Sequence, residues 1–600
     1  MLAQFDADGD AARTERIEVT SSRRRQSTML APQRIRALDG LRACAVILVF
    51  AYHLDESLLP GGFIGVDIFF VLSGYVIARH LLAEVNTERT LDLRAFWTRR
   101  IRRLVPPLVP VLAISAVLVA VMDPVHLRAF RADAVASMFS VSNWWFIFGE
   151  RSYFDTTGRP PVLQHLWSLA VEEQFYLALP FALCIAAAVT RGWRVFVTRV
   201  AVTSLVLAGA SMAVMGIGSA VDNVPYGSDG SVWYFGTVSH SFGLLLGVAL
   251  AAWHARRGST ALPWSDRTVG VLGTIGIGAL IGCAVLFSQA DLGLYRWQLQ
   301  AVSLIALVTI ACAVACPGFD RVLGNRFPRW LGTRSYAIYL WHWPVLVFTA
   351  PGDVPVDGPL LMIARIALVL AAAELSYRYI EAPLRRDRAT SRPPRHAMRV
   401  IALVLVGLVG IGVAAASTPQ AAPSTSYREV GGPAHGRRDS AADSAGQTIS
   451  AYGDSVLVGG WEGLEEHFPG LGGYAAEGLQ ADALFDHIAR DRADGTLGDI
   501  VYIQTGNNGF IDPDAFAENI AELSDRTRVI LAVPKVDRPW EKENIAILQD
   551  AATANSNVRL LDWRSEVTEN PELLWDDGLH MKPDSAVVLA GLIDIAIDGD

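Results

Sequence analysis

The sequence predicts a multi-pass α-helical membrane domain followed by a small α/β domain with a parallel sheet, on three observations. Hydrophobic residues make up 52% of the 600 and charged residues only 18%, against roughly 25% charged in soluble globular domains. Apolar segments long enough to cross a bilayer recur from residue 39 to residue 417. From residue 447 the pattern changes to short β-type runs alternating with helical stretches, the signature of a parallel α/β sheet. A mean hydropathy of +0.32 fits a chain of which much cannot face water.

The apolar segments fall at 39–54, 63–83, 104–122, 167–190, 196–217, 236–254, 269–287, 297–316, 330–350 and 358–380, with an eleventh at 398–417. The stretch 132–149, with its SNWWF core, reads as an interfacial or re-entrant element, or as a twelfth span. Residues 1–33 are polar, carry Arg23-Arg24-Arg25 and lack the apolar core of a signal peptide. They are expected to be a disordered cytoplasmic tail. Between the eleventh span and residue 447 lies a stretch rich in Ala, Ser, Pro and Gly, expected to be a flexible linker.

Loop charges set the expected orientation. Alternate loops carry Arg89, Arg94, Arg99, Arg100, Arg102 and Arg103, then Arg191 and Arg194, Arg256 and Arg257, Arg321, Arg326 and Arg329, and finally Arg385 to Arg399. The intervening loops carry Asp55, Glu56, Asp222, Asp229, Asp291, Asp353 and Asp357. By the positive-inside rule the N-terminus is cytoplasmic, and after eleven spans the C-terminal domain is extracytoplasmic, on a plasma (inner) membrane protein. The net charge of −9 offers no general attraction for nucleic acid. The five cysteines are all in or beside apolar runs and form no CxxC pair, so neither a metal site nor a disulfide framework is indicated.

Chemistry-bearing residues cluster at three places in the membrane half. In the first span, IRALDGLRACAVILVFAYHLDE, Arg42 and His53 stand 11 residues apart, about three helical turns on one face. An imidazole inside a span is a functional candidate, while Tyr52 and Asp55 beside it fit a residue at the membrane interface. FWTRRIRRL holds two overlapping pairs, Arg99/Arg102 and Arg100/Arg103. Arginines three apart are neighbours on a helix and can grip phosphate, or simply anchor the span. HLWSLAVEEQFYLALP places His165, Glu172 and Glu173 at the start of a span, with His165 and Glu172 near one face if the helix covers both.

Residues 34–385 resemble the acyltransferase family 3 membrane proteins. The pieces ALDGLRACAVILVFAYH, GGFIGVDIFFVLSGYVI, FWTRRIRRLVPP, LQHLWSLAVEEQFYLALP and SYAIYLWHWPV stand in the family's order. The resemblance implies that His53 is the essential residue for acyl transfer. It also implies that Arg42 and the arginines of FWTRRIRRL engage an acyl-coenzyme A co-substrate, in either register, with His165, Glu172 and Glu173 as substrate or relay groups. In TVSHSFGLLLG the chain has His240 where the family often has Arg, which puts a donor or substrate role there in doubt.

The last 154 residues, 447–600, carry AYGDSV between a strand and a helical stretch, AAEGLQ, TGNNG after the strand DIVYIQ, and DDGLHMKPD near the end. A nucleophilic serine needs a base, the base an orienting acid, and the oxyanion a set of donors. The order G-D-S, lone Gly, G-x-N, D-x-x-H is similar to that of the SGNH hydrolase superfamily. Carried over, the resemblance makes Ser455 the nucleophile, His580 the base and Asp577 its orienting acid, with Gly478 and Asn508 in the oxyanion hole. His467 and His487 read as surface residues.

Together the two resemblances imply a bacterial envelope-glycan O-acyltransferase. Its co-substrate is acyl-CoA, most simply acetyl-CoA, with no permanently bound cofactor and no metal. Its acceptor is a hydroxyl of an envelope glycan. The other readings are a membrane acyltransferase joined to an SGNH esterase that edits acylation, and a transporter with a tethered binding domain.

Overall fold

The computed structural model describes residues 34–149, 160–226, 230–289, 291–350, 358–386, 429–432, 447–536, 540–575 and 578–598, with Val354, Val356 and Arg538 besides. The expected tail at 1–33, the eleventh span at 398–417 and the linker that follows it lie outside the described residues, as does Asp577.

Among the described residues, ten long helices build the N-terminal region. They are α1 (Arg36–Leu54), α2 (Gly65–Glu88), α3 (Leu93–Met122), α4 (Trp167–Ala188), α5 (Trp193–Val221), α6 (Phe242–Arg257), α7 (Asp266–Leu286), α8 (Leu299–Ala315), α9 (Arg326–Val347) and α10 (Gly358–Ser376). Each falls on one of the ten apolar segments from 39 to 380. Among the described residues eight helical stretches are long and apolar enough to cross a membrane, α6 and α9 falling short of that measure. The stretch 132–149 does not make another. It breaks at Ser140, in left-handed backbone, into Leu127–Met138 and Ser142–Phe148. At 1.5 Å per residue neither piece approaches bilayer thickness.

Burial separates the helices by role. The stretch containing α2 is 83% buried in its most apolar window, whereas those of α5 and α7 are each 28% buried although more apolar. A helix apolar all round and packed on only one side needs a hydrocarbon solvent on the other, and Ile185, Val206 and Leu286 are among the large side chains left outward.

Glycines set the closest crossings, as small residues do between membrane helices. A Cβ on Gly74 would lie 2.0 Å from the Leu244 carbonyl oxygen, and one on Gly332 would lie 1.7 Å from that of Asp39. The second crossing lays α9 directly against α1. Fourteen residues on from Asp39 is His53, and ten on from Gly332 is His342, so the two helices run the same way and bring these histidines together.

The C-terminal region holds a six-stranded sheet: β1 (Glu429–Gly432), β2 (Ile449–Gly453), β3 (Gly472–Ala476), β4 (Ile500–Gln504), β5 (Arg528–Ala532) and β6 (Val558–Leu561), in the order β1-β3-β2-β4-β5-β6. All neighbours are parallel except β1, which pairs antiparallel with β3. β4 is buried along its whole length, as a central parallel strand covered on both faces must be. One hydrophobic cluster gathers around Trp461, Trp540 and Leu589, another around Phe485, Phe516 and Leu548. The chain leaves β2 toward β3 on one side and β4 toward β5 on the other. β2 and β4 therefore flank the switch point at whose carboxyl edge parallel sheets bind ligands.

Candidate functional sites

The bundle encloses a cavity lined by Arg42 of α1, Arg100 and Arg103 of α3, Glu172 and Tyr176 of α4, Ser73 of α2, and Ser335, Tyr336 and Tyr339 of α9, with Ser168. Three guanidinium groups from two helices thus line one cavity together with an acid and three phenols. Arg100 lies over the Tyr176 ring at 4.6 Å, a cation–π contact that holds its plane. The Tyr176 hydroxyl donates to the Glu172 carboxylate at 3.1 Å. The Arg103 Nε is buried without a hydrogen-bond partner, a cost that polar groups bear where they serve a ligand.

Of the two arginine registers, the structure brings Arg100/Arg103 to the cavity with Arg42. Arg99 turns outward to Glu84 at 3.6 Å and is 62% exposed, and Arg102 is not among the lining residues. The reason is helical phase. Positions 100 and 103 share the face that α3 turns to α1 and α4, and 99 is a residue off it. Glu173 likewise points away from Glu172 and accepts a hydrogen bond from the Ser140 hydroxyl.

At one end of the cavity Tyr339 donates to the His165 carbonyl at 2.6 Å and meets the Ser168 hydroxyl at 2.7 Å. Beyond it three imidazoles meet. The rings of His53 and His342 are 5.1 Å apart and those of His165 and His342 5.4 Å, with Trp343 edge-on to His53 at 4.9 Å. His165 and His342 are each 1% exposed. His165 does not share a regular helical face with Glu172, because residues 164–166 form a 3₁₀ turn and the helix begins at Trp167. The tighter turn swings His165 into the histidine group while Glu172 stays on the cavity wall.

His240 is fully buried against Asp67, its Nε2 3.0 Å from the carboxylate and its Nδ1 donating to the Tyr234 carbonyl at 2.7 Å. It stands off the cavity, so the position serves an internal pair. Sequence reasoning singled out neither Asp67, Tyr339 nor His342. The last, an imidazole between two tryptophans inside a span, carries a signal of its own.

In the α/β region Ser455 opens the helix Ser455–His467 directly after β2. Asp454 caps that helix, accepting from the Val456 amide at 3.1 Å and from Asn507 Nδ2 at 2.9 Å. Complete burial pushes the Asp454 carboxyl up to about 6. The His580 Nε2 stands 3.0 Å from the Ser455 hydroxyl, within reach for a base and its nucleophile. His580 rides on a turn pinned by the Trp575 amide on its carbonyl at 2.8 Å and by Lys535 on the Gly578 carbonyl at 2.8 Å.

Gly478 follows β3 with φ +75°, and Asn508 follows β4. Ser455, Gly478 and Asn508 thus lie beyond the carboxyl ends of three adjacent strands. Gln480 Nε2 donates to the Asn508 carbonyl at 2.7 Å and Asn508 Nδ2 to the Leu479 carbonyl at 3.3 Å, tying the two loops together. Asn544, fully buried, staples the second loop by donating to the carbonyls of Gly506 and Gly509 at 3.0 and 2.8 Å. No motif announced it. His467 forms a half-exposed pair with Asp594, and His487 stacks on Tyr474 at 3.6 Å.

The same carboxyl-edge loops meet the bundle. Tyr226 packs against the first α/β cluster, Asn223 hydrogen-bonds to the Asp482 carboxylate, and Glu56, three residues past His53, feels the charge of Arg538. The edge that carries Ser455 and the end of the bundle that carries His53 therefore face each other.

Residues 35–376 match the family model described as an acyltransferase domain. The chain is 32% identical to the YrhL protein of Bacillus subtilis, over 93% of this chain and 98% of that one. It is 30% identical to the peptidoglycan O-acetyltransferase OatA of Listeria monocytogenes, over 93% and 97%. To the O-acetyltransferase OatA of Staphylococcus aureus it is 29% identical, over 96% and 98%.

Proposed function

The chain belongs to the acyltransferase family 3 membrane proteins, and on that premise we propose that it moves an acetyl group from cytoplasmic acetyl-CoA across the membrane to a hydroxyl of peptidoglycan. The observation that carries this reading is the pairing of two centres on one chain. One is an arginine-walled cavity that ends at a histidine group, and the other is a Ser455–His580 pair at a sheet's switch point. Three relatives named for O-acetylation, two of them for peptidoglycan, align with more than nine tenths of the chain, and suggest the acceptor.

In this reading the phosphates of acetyl-CoA dock on Arg42, Arg100 and Arg103, whose guanidinium forks suit phosphate. The acyl end reaches along the cavity past Tyr339 toward His53, about 16 Å further along α1 from Arg42. His53 Nε2 attacks the thioester and takes the acetyl group as coenzyme A leaves as its thiol, and the imidazole is freed again when Ser455 takes the group. On the far side His580 takes the proton of Ser455 as its hydroxyl attacks the acetyl carbonyl. The oxyanion is met by the Gly478 and Ser455 amides and the Asn508 side chain, and Asp577 orients His580. A glycan hydroxyl, activated by the same histidine, then takes the acetyl group and restores Ser455.

The test is glycan acetylation in a deletion strain carrying wild type, His53→Ala or Ser455→Ala, read by mass spectrometry of the cell wall. The proposal expects acetylation to disappear in both variants. A rise with Ser455→Ala would make the α/β region an editing esterase, and wild-type acetylation with His53→Ala would remove the membrane step as drawn.

A further inference from the structure

We propose that His342 is the positioning residue for His53, fixing its tautomer and receiving its Nδ1 proton during acyl transfer. The inference rests on His53 being the transfer residue, and adds the group that makes it competent.

The His53 Nδ1 is 2.9 Å from the Val49 carbonyl oxygen, and a carbonyl only accepts, so Nδ1 carries the hydrogen. The His342 Nδ1 is 2.6 Å from the Tyr339 carbonyl oxygen and carries its own hydrogen for the same reason. The His342 Nε2, in the neutral ring, is then a lone pair, and it lies 3.3 Å from the His53 Nδ1. The His53 N–H is thereby shared between the Val49 carbonyl and His342. The lone pair of His53 is left on Nε2, the nitrogen able to act as base or nucleophile.

The same geometry provides for the next step. When the His53 Nε2 gains a proton or an acyl group the ring becomes cationic, at a site whose neighbours are aromatic rings. Transfer of the Nδ1 proton to the His342 Nε2 breaks one N–H bond and forms another, and moves the charge one ring away. At 3.3 Å a His342 imidazolium and a His53 Nδ1–H cannot coexist hydrogen to hydrogen, so the two rings exchange one proton between them. The titratable groups facing His342 are His53 from α1, His165 from the 3₁₀ turn before α4, and Tyr339 from its own helix. The Tyr339 carbonyl keeps hold of the His342 Nδ1–H, and that same residue's hydroxyl closes the end of the cavity.

The experiment uses the full chain in membrane vesicles, with labelled acetyl-CoA as donor and a muropeptide as acceptor, and compares His342→Phe, His342→Gln and His53→Ala. A general base deprived of its orienting partner should lose kcat by about a hundredfold, so His342→Phe is expected to do so with the KM for acetyl-CoA within about twofold. His342→Gln places an amide oxygen where Nε2 was, restoring the acceptor but not the proton sink. It is expected to recover part of kcat and to flatten its dependence on pH between 5 and 8, which a merely structural role would not do. Wild-type kcat in His342→Phe beside an inactive His53→Ala overturns this inference alone. Activity in His53→Ala overturns the reading beneath it. If His342→Phe fails to fold, His342→Gln decides, and an unchanged pH profile there refutes the proton transfer.

Discussion

The two centres hold the groups nearest their chemistry differently. At the α/β site the side chain beside the nucleophile is saturated. Asp454 accepts from Val456 and Asn507, Ser455 meets His580, and Asn508 is tied to Leu479. In the bundle, the Arg103 Nε of the cavity and the Trp341 Nε1 are buried without hydrogen bonds, as are Gln504 Nε2 and Thr505 Oγ1 at the end of β4, one step removed from the nucleophile. Saturated donors rigidify a site before substrate arrives, whereas unsatisfied ones gain most from a ligand that satisfies them. On the proposed function, the difference suits a sheet edge that performs the same acyl chemistry each cycle and a bundle that admits and releases a large, charged donor.

The strongest way to break the contrast is to remove the nucleophile of the saturated site. Ser455→Ala is expected to lower glycan acetylation by about 10³-fold or more, the scale of loss when a triad acts as a unit, while the KM for acetyl-CoA stays within about twofold. A Ser455→Ala protein that still acetylates at a tenth of the wild-type rate would move the chemistry elsewhere.

Next in size is the buried Asp67–His240 pair, in which one carboxylate oxygen of Asp67 meets the imidazole and the other, Oδ2, has no hydrogen bond. With the His240 Nδ1 donating to a carbonyl and its Nε2 facing a carboxylate, the pair needs a hydrogen on both ring nitrogens or on Asp67. Removing one partner of such a pair leaves a polar group stranded and costs about 3–5 kcal/mol. His240→Ala is therefore expected to reduce the folded protein recovered in detergent, and Asp67→Asn/His240→Asn together to recover much of the loss. Equal recovery of His240→Ala and wild type would show the pair to be dispensable.

Asp454 sharpens the comparison from the other side, since a saturated carboxylate still bears the cost of burial. Its carboxyl is raised from 3.8 to about 6. The folded chain therefore holds a proton that the unfolded chain has released between about pH 4 and 6. Stability from this group falls as pH rises through that window and is level above it, a difference of about 3 kcal/mol. Asp454→Asn should abolish this slope, measured as hydrogen exchange of the β2 and β4 amides at pH 5 and 7.5. Carboxylates shifted the other way, such as Asp525, act equally on both proteins and cancel. Identical slopes would contradict the assignment.

What the sequence made legible follows the same division. The α/β site is written in short motifs because a strand end, a turn and a helix start fix Ser455, Gly478 and Asn508 within a few residues of each strand. The ten long helices were legible from apolar length alone. The bundle site was legible only where one helix carries both members, as with Arg42 and His53. His342 meets His53 across 289 residues and Tyr339 meets His165 across 174. No local period encodes such pairings, which depend on the glycine crossing of α1 with α9. Asn544 was hidden for a similar reason, as it holds a loop 35 to 38 residues away.

The smallest effect tests the phase of one helix. Arg100 and Arg103 line the cavity, and Arg99 faces Glu84 with most of its side chain exposed. A charge-assisted hydrogen bond contributes about 1.5–3 kcal/mol, whereas an exposed pair contributes about 0–1 kcal/mol. Arg100→Ala and Arg103→Ala are each expected to raise the KM for acetyl-CoA about tenfold or more, with Arg99→Ala within about twofold of wild type. The adjacent positions differ by one residue of helical phase and share the same net charge change, so general electrostatic attraction predicts equal effects from all three. Graded loss in the order given supports a wall that grips phosphate at defined atoms, and equal loss would reduce the cluster to a membrane anchor.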